Sequence, residues 1–187
     1  MKKFYQEIHL KKIEDIAPDF LLSKAYDELH LAFVDIAPDG NCPFGIGFPE
    51  YDAMQMNLGM TLQIFSDSRE MFDLLALSKR FRKYRDYLSI SEVKETPTPR
   101  AYVSFSRFHR DSPAKIRRYA KRHQLTFEKA KSMFHLSKLK KLPYVFIDSQ
   151  STGMRFPLCI QMKEHEAPID GCFGSYGLSS TTTVPVW

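Results

Sequence analysis

The chain has 187 residues, 43% of them hydrophobic and 26% charged, a balance typical of a globular protein with one large domain or two small ones. No apolar run approaches the roughly 20 residues of a membrane-spanning helix, and the polar N-terminus does not resemble a signal peptide. The three cysteines are widely spaced and form no CxxC pair, which argues against a zinc knuckle or a disulfide framework and favours a reducing cytoplasm.

The net charge of +5 is unevenly distributed along the chain. Residues 1–94 carry 12 Lys and Arg against 15 Asp and Glu, whereas residues 95–187 carry 15 against 7. Twelve of the basic residues lie between Arg107 and Lys141, with only two acidic residues among them. A local excess of this kind favours a polyanionic partner, because each neutralised phosphate releases counterions.

The first half of the chain predicts the order β-α-β-β-α-β. A strand is predicted over Phe4–Leu10, and a helix opening at Pro18 has apolar residues at spacings of three and four. Two short strands follow over 44–48 and 60–65, then a helix capped within 66–68 and a strand over 84–90. This order predicts an α+β protein whose residues 1–94 form a ferredoxin-like domain, with two helices on one face of an antiparallel sheet.

Residues 95–99, with two prolines, are the predicted linker to a basic second region over 95–187. There the pattern predicts an extended segment over 101–108, a helix capped by Ser112 and opened by Pro113, and a second helix starting near Thr126. Strands are predicted over 144–147 and 155–162, on either side of a Ser-rich loop, and a Gly-rich tail covers 171–178.

The helix that starts at Pro113 is the most informative segment. At about 100° per residue, its five cations share one face and its apolar residues the other; the cations are Lys115, Arg117, Arg118, Lys121 and Arg122. A solvated helix usually mixes acids with its bases, and none is present here, so contact with nucleic-acid phosphates is favoured over a merely solvated face.

Other candidate residues are weak signals when each is taken alone. Arg107 and His109 project from one face of the extended segment, where an arginine could read a guanine, although an ordinary exposed strand face is the simpler interpretation. His30 lies at the edge of a helical apolar stripe, where a histidine is more often a bystander than a catalyst. The residues of the Ser-rich loop and Tyr176 would ordinarily be read as turn residues and a packed aromatic.

Taken together, these segments resemble the type I-F CRISPR repeat-processing endoribonuclease family over the whole chain. The matching pieces are Glu28-Leu29-His30, the Gly-rich run over 45–49, Ser106-Arg107, the run over 149–153 followed by Phe156, and the run over 175–179. The resemblance implies that His30 is the catalytic histidine, that Ser149 holds the attacking ribose and that Tyr176 orients His30.

The resemblance also implies how the RNA is bound. Phe156 would stack on the base pair at the foot of the stem, the basic helix would lie on phosphates, and Arg107 would read the guanine beside the cut. Ser151 and Thr152 would contact the RNA as well, whereas His109 stands where relatives carry glutamine. The partners implied are the CRISPR repeat stem-loop and other subunits of a type I-F effector complex.

The implied chemistry needs neither a metal nor a cofactor, because RNA supplies its own nucleophile, the 2′-OH. A histidine near its ordinary pKa suits the proton transfer, and the products would be a 2′,3′-cyclic phosphate and a 5′-hydroxyl, with the cut at the 3′ base of the stem. Two alternatives remain open: a non-catalytic subunit that caps the hairpin in an effector complex, and a general double-stranded RNA binder.

Overall fold

The structure is a computed structural model that describes residues 2–108, 113–133, 141–149 and 153–187. Within these ranges the chain forms two antiparallel sheets and several helices, so the predicted α+β class is confirmed. None of the described helices combines the length and the apolar character needed to cross a membrane.

The chain begins with strand β1, Phe4–Leu10, followed by helix α1, Pro18–Ile36. Pro18 occupies the first turn of the helix, where its missing N–H has no intrahelical partner to lose. The apolar stripe predicted from the spacing is directed to the core, with four side chains buried and the last one half-buried: Leu22, Tyr26, Leu29, Phe33 and Ile36.

The first sheet has the strand order β2-β3-β1-β4, where β2 is Gly45–Gly47, β3 is Thr61–Ser66 and β4 is Leu88–Ile90. A two-residue strand, β5 (Lys94–Glu95), pairs with β1 at the start of the predicted linker. All pairings are antiparallel, and β1 lies between β3 and β4. Helix α1 connects β1 to β2, and a second helical region connects β3 to β4.

That second helical region differs from the single capped helix that the sequence predicts. It consists of α2, Glu70–Leu75, and α3, Leu77–Arg80, separated by Ala76 in a left-handed conformation with φ 46° and ψ 48°. The predicted cap is wrong in detail, because Ser66 ends β3, and the residue before α2, Arg69, makes no capping side-chain bond. The predicted strand over 84–90 is shortened to β4, since a 3₁₀ turn occupies Arg82–Tyr84.

The second sheet has the order β7-β8-β6-β9 and comes from the second half of the chain. Its strands are β6 (Ala101–Phe108), β7 (Tyr144–Asp148), β8 (Arg155–His165) and β9 (Val184–Val186). Strand β7 is an edge strand, and its outer side packs against α1. Helix α1 therefore connects two strands of the first sheet and also packs against the edge strand of the second.

Two short helices, α4 (Pro113–Arg122) and α5 (Phe127–Met133), pack on each other around a small cluster of their own. The cluster contains Ile116, Ala120 and Ala130, all buried, with half-buried neighbours around them. The Thr126 hydroxyl accepts from the Lys129 amide at the start of α5, which confirms the predicted start of this helix. The Ser112 cap predicted for α4 lies outside the described residues.

The main core draws buried residues from both halves of the chain. Ile8, Leu29 and Leu62 come from the first half, and Phe105, Leu158 and Val184 from the second. At one margin of this core the Trp187 ring packs against the rings of Tyr5 and Phe65, with centroids 4.8 and 5.9 Å apart. The functional division between residues 1–94 and 95–187 stays a prediction.

Candidate functional site

His30 and Tyr176 are brought into direct contact although 145 residues separate them. Their rings are stacked, with centroids 4.1 Å apart and planes inclined by 14°. The His30 Nδ1 lies 2.8 Å from the Ser175 carbonyl oxygen. Because a carbonyl only accepts, Nδ1 carries the proton in this bond, and Nε2 is the nitrogen left for an incoming group.

The tail that carries Tyr176 is held in place by hydrogen bonds to its backbone carbonyls. The Tyr26 hydroxyl, on α1, donates to the Tyr176 carbonyl at 2.8 Å, and the Ile46 amide donates to the Gly177 carbonyl at 2.9 Å. Gly177 has φ 68°, and a Cβ there would lie 2.8 Å from the Phe33 ring. A side chain at position 177 would therefore displace the loop that presents Tyr176 to His30.

Burial raises the pKa of Tyr26 well above its ordinary value. The hydroxyl therefore remains protonated, and remains a donor to the tail, across the physiological range. Tyr26 was predicted only as part of the apolar stripe. The position of a tyrosine within an apolar stripe could have indicated this role, because a buried tyrosine usually requires a hydrogen-bond partner.

Arg107 and Phe156 extend this cluster on the second sheet. The Arg107 guanidinium carbon lies 5.2 Å from the Phe156 ring centroid and 5.9 Å from that of Tyr176. Arg107 itself is exposed at the end of β6, whereas the two rings are half-buried. Tyr176 thus contacts His30 through its ring face and also lies beneath Arg107, so the structure brings four of the predicted site residues into one connected group.

Ser149 follows the last residue of β7 and opens the Ser-rich loop. Its amide donates to the Met154 carbonyl at 3.0 Å, and its own carbonyl accepts from the Gly153 amide at 2.8 Å. These bonds close the loop at its base, where Gly153 adopts φ 65°. The predicted RNA contacts Ser151 and Thr152 lie outside the described residues, as does His109.

Helix α1 provides hydrogen-bond acceptors for the edge strand that leads to Ser149. The Ser23 Oγ accepts from the Phe146 amide at 3.0 Å, and the Asp27 Oδ1 accepts from the Asp148 amide at 3.2 Å. Since His30 follows Asp27 by one turn of α1 and Ser149 follows Asp148 along the chain, the same packing directs both predicted catalytic residues to one end of the α1–β7 contact.

A charged group surrounds this contact. The Lys24 Nζ lies 2.7 Å from the Asp148 Oδ2, and the Arg155 Nε lies 3.9 Å from the other carboxylate oxygen. The hydrogen bond to Asp148 raises the pKa of Lys24, and the same bond lowers the pKa of Asp148. Burial raises the pKa of Asp27, whereas the bond from the Asp148 amide and the charges of Lys24 and His30 act in the opposite direction.

The basic face predicted on α4 is present. Ile116 and Ala120 are buried against α5, and all the predicted cations except one are exposed. The exception, Lys115, is half-buried, and the exposed ones are Arg117, Arg118, Lys121 and Arg122. Helix α4 contains no acidic residue, so its outer face is uniformly positive.

Sequence patterns did not indicate Lys24, Asp27 or Asp148 as parts of the site. Nothing in their spacing separates them from ordinary surface charges, because their partners come from an element more than 120 residues away in the chain. In the described ranges, no three His, Cys, Asp or Glu side chains are grouped in a way that could hold a metal ion.

The matches to known proteins extend over nearly the whole chain. The model of a family described as CRISPR-associated protein (Cas_Csy4) matches residues 5–187. The protein called CRISPR-associated endonuclease Cas6/Csy4 in Pseudomonas aeruginosa (strain UCBPP-PA14) is 31% identical over 186 residues, with 97% of each chain covered. The protein of the same name in Escherichia coli (strain UTI89 / UPEC) is 27% identical over 189 residues, again with 97% of each covered.

One solved structure is similar along the full length of both chains. It is described as a RAMP protein binding different RNA substrates, and it shares 13% sequence identity with a TM-score of 0.38. A likeness at this level supports no argument about this chain.

Proposed function

Because the chain belongs to the CRISPR-associated protein (Cas_Csy4) family, we propose that it is an endoribonuclease that cuts precursor CRISPR RNA at the repeat hairpin and keeps the product bound. The family resemblance predicted from the sequence is thereby confirmed, and the relatives of similar length carry the name endonuclease. The observation that carries the proposal for the site is the stacked pair of His30 and Tyr176 beside Arg107 and Phe156.

In the proposed reaction the ribose 2′-OH attacks the adjacent phosphorus, and the 5′ oxygen of the next nucleotide leaves. His30 accepts the 2′-OH proton through Nε2, since its Nδ1–H is used by the Ser175 carbonyl. Ser149 holds the ribose in line for attack, and Tyr176 fixes the plane of the imidazole. The leaving 5′ oxygen takes up a proton from solvent, and His30 returns its proton to solvent. The products are a 2′,3′-cyclic phosphate and a 5′-hydroxyl, and the reaction requires no metal or other cofactor.

The RNA-binding part of the proposal rests on charge and on the half-buried ring of Phe156. The cations of α4 lie on the phosphates of the stem, Arg107 reads the terminal guanine, and Phe156 stacks on the last base pair, which sets the cut at the 3′ base of the stem. Lys115, Arg117, Arg118, Lys121 and Arg122 form the phosphate-binding face, and His109, Ser151 and Thr152 are proposed as further RNA contacts.

The proposal assigns different tasks to the two regions of the chain. Residues 1–94 form a ferredoxin-like domain that carries His30, for which the strand order β2-β3-β1-β4 and the two helical connections are the support. Residues 95–187 bind the hairpin. The protein is expected to act in the cytoplasm, and the bound product would connect it to other subunits of a type I-F effector complex.

The test is cleavage of the cognate repeat RNA by the purified protein in EDTA. We expect one cut at the 3′ base of the stem, a cyclic phosphate on the upstream product, and no cleavage when the 2′-OH at that position is replaced by hydrogen. The deoxy substrate should still bind, because only the nucleophile has been removed. A wild-type protein that binds the hairpin but never cuts it would instead be the non-catalytic subunit that caps an effector complex.

A further inference from the structure

We propose that Asp27 is a positioning residue for RNA cleavage. By accepting a hydrogen bond from the Asp148 amide, it keeps Ser149 aligned with His30 across the α1–β7 contact. The inference rests on the proposed function and deepens it. It concerns a carboxylate that lies one helical turn before the histidine and has no role in the assignments made so far. Asp27 is half-buried and does not need to contact RNA to act in this way.

The spacing of two hydrogen-bond acceptors on helix α1 matches the spacing of two outward amides on strand β7. Ser23 and Asp27 are four residues apart on the helix, a rise of about 6 Å, and they accept from amides two residues apart on the strand, a rise of about 6.7 Å. The two side chains therefore accept hydrogen bonds from the edge of β7, as the carbonyls of a neighbouring strand would. They satisfy alternate N–H groups that the order β7-β8-β6-β9 leaves without a strand partner.

The same register places the next residues of each element at the same end of the α1–β7 contact. His30 lies about 4.5 Å beyond Asp27 along the helix axis, and Ser149 lies about 3.3 Å beyond Asp148 along the strand. Asp27 thus provides the contact between α1 and β7 that is nearest to both predicted catalytic residues. The Ser23 contact lies one turn further back and is otherwise of the same kind.

Asp148 is held by α1 at two points. Its amide donates to Asp27, and its carboxylate accepts from the Lys24 ammonium at 2.7 Å. The salt bridge joins two partly exposed side chains and contributes little by itself. The hydrogen bond from the Asp148 amide to Asp27 is partly buried and directional. Asp27 is for this reason the more important of the two contacts.

Removal of Asp27 would release the end of β7 where alignment matters most. The Asp148 amide would lose its acceptor, and the strand end would shift until water could reach that N–H. Ser149 is bonded to Asp148 and would shift with it relative to His30. In-line attack depends on the placement of the ribose to within about 1 Å, so the rate of the chemical step would fall while the hairpin contacts elsewhere persist.

The experiment compares three variants in single-turnover cleavage with enzyme in excess, together with hairpin affinity and thermal stability. Asp27→Ala removes the acceptor, Asp27→Asn retains a neutral acceptor of the same length, and Ser23→Ala removes the matched bond one turn away. We expect Asp27→Ala to slow cleavage roughly tenfold or more with affinity within about twofold of wild type. Asp27→Asn and Ser23→Ala should both cut within about threefold of the wild-type rate.

Several results would overturn the inference. One is an Asp27→Ala protein that cuts at the wild-type rate. Another is an equal loss of activity in Asp27→Ala and Ser23→Ala, in proportion to their loss of stability, which would show a purely structural contact. If Asp27→Ala does not fold, Asp27→Gln decides the question, because its amide is longer by one methylene; a Gln variant as fast as the Asn variant would refute the alignment. A wild type that does not cut would refute the proposed function itself, whatever the variants do.

Discussion

The imidazole of His30 and the ring of Tyr176 lie face to face, 4.1 Å apart between centroids, while the carbonyl of the neighbouring Ser175 accepts from the same imidazole. Stacking fixes the plane of the histidine, and the hydrogen bond fixes its rotation within that plane. Within residues 2–108, 113–133, 141–149 and 153–187, the Tyr176 hydroxyl makes no hydrogen bond to His30. We therefore propose that the ring of Tyr176, more than its hydroxyl, orients His30.

A first prediction separates the ring from the hydroxyl. Tyr176→Phe should retain most of the cleavage rate, and Tyr176→Ala should lose much more, because only the second variant removes the stacking surface. His30→Ala should abolish cleavage. Hairpin affinity, measured by a binding assay with uncleavable 2′-deoxy RNA, should change little in the His30 variant, since the imidazole is assigned to proton transfer. A His30→Ala protein that still cuts at the wild-type rate would disprove the assignment.

A second prediction concerns the exposed cations of α4. Arg118→Ala and Arg122→Ala should each weaken hairpin binding and lower the slope of log K against log[salt] by roughly one, because each removes a phosphate contact. The slope is obtained from binding isotherms at several salt concentrations. Arg85→Ala, which removes an exposed cation from the other half of the chain, is the control and should leave the slope unchanged. Unaltered slopes in both α4 variants would mean that the basic face is only solvated.

A third prediction tests base reading by Arg107. Its guanidinium lies over two aromatic rings, which restrict its direction at the end of β6. Arg107→Ala should cost about 1–3 kcal/mol of binding free energy with the cognate stem, but little with a stem whose terminal guanine has been replaced. The two RNAs are compared in the same assay. Equal losses on both would indicate a phosphate contact or a packing role.

A fourth prediction follows from the raised pKa of Asp27. Between about 3.8, the ordinary pKa of an aspartate, and the higher pKa of Asp27, the folded state binds more protons than the unfolded state. The contribution of Asp27 to the free energy of unfolding is therefore present at low pH and is lost as the pH rises through this window. Asp27→Asn lacks this dependence, so its stability relative to wild type should increase as the pH rises.

The measurement is urea unfolding of wild type and Asp27→Asn at matched pH values from about 3 to 7. The pKa of Asp148 is lowered by Lys24, so that carboxylate acts in the opposite direction and loses its contribution as the pH falls. This effect is present in both proteins and largely cancels in the difference between them. A difference that does not vary with pH would contradict the prediction.

Much of the fold could be predicted because the periodicity of its elements is local. The bounds of β1 agree with the alternating pattern, and the stripe on α1 follows from spacings of three and four. The break at Ala76 could not be predicted, since alanine rarely adopts a left-handed conformation and nothing nearby in the sequence marks it. Strand β9 was missed because it is short and owes its conformation to pairing with β6, over 80 residues earlier.

The site shows the same division between local pattern and tertiary contact. The charged face of α4 was readable from its own residues, whereas His30, Ser149 and Tyr176 were indicated only by the family resemblance. The acceptors that α1 offers to β7 were not predicted by either route. Ser23 and Asp27 have ordinary helical positions, and their importance arises from an edge strand that the chain supplies more than 120 residues later.

The small cluster between α4 and α5 has a consequence for the protein without RNA. Among the residues that the structure describes, three buried side chains hold these helices together, and the main core does not include them. Such a unit can open at lower free energy than global unfolding, so its amides should exchange hydrogen for deuterium sooner than those of α1. If the cations of α4 bind the stem, part of the binding free energy would close this unit, and its protection should rise once RNA is bound.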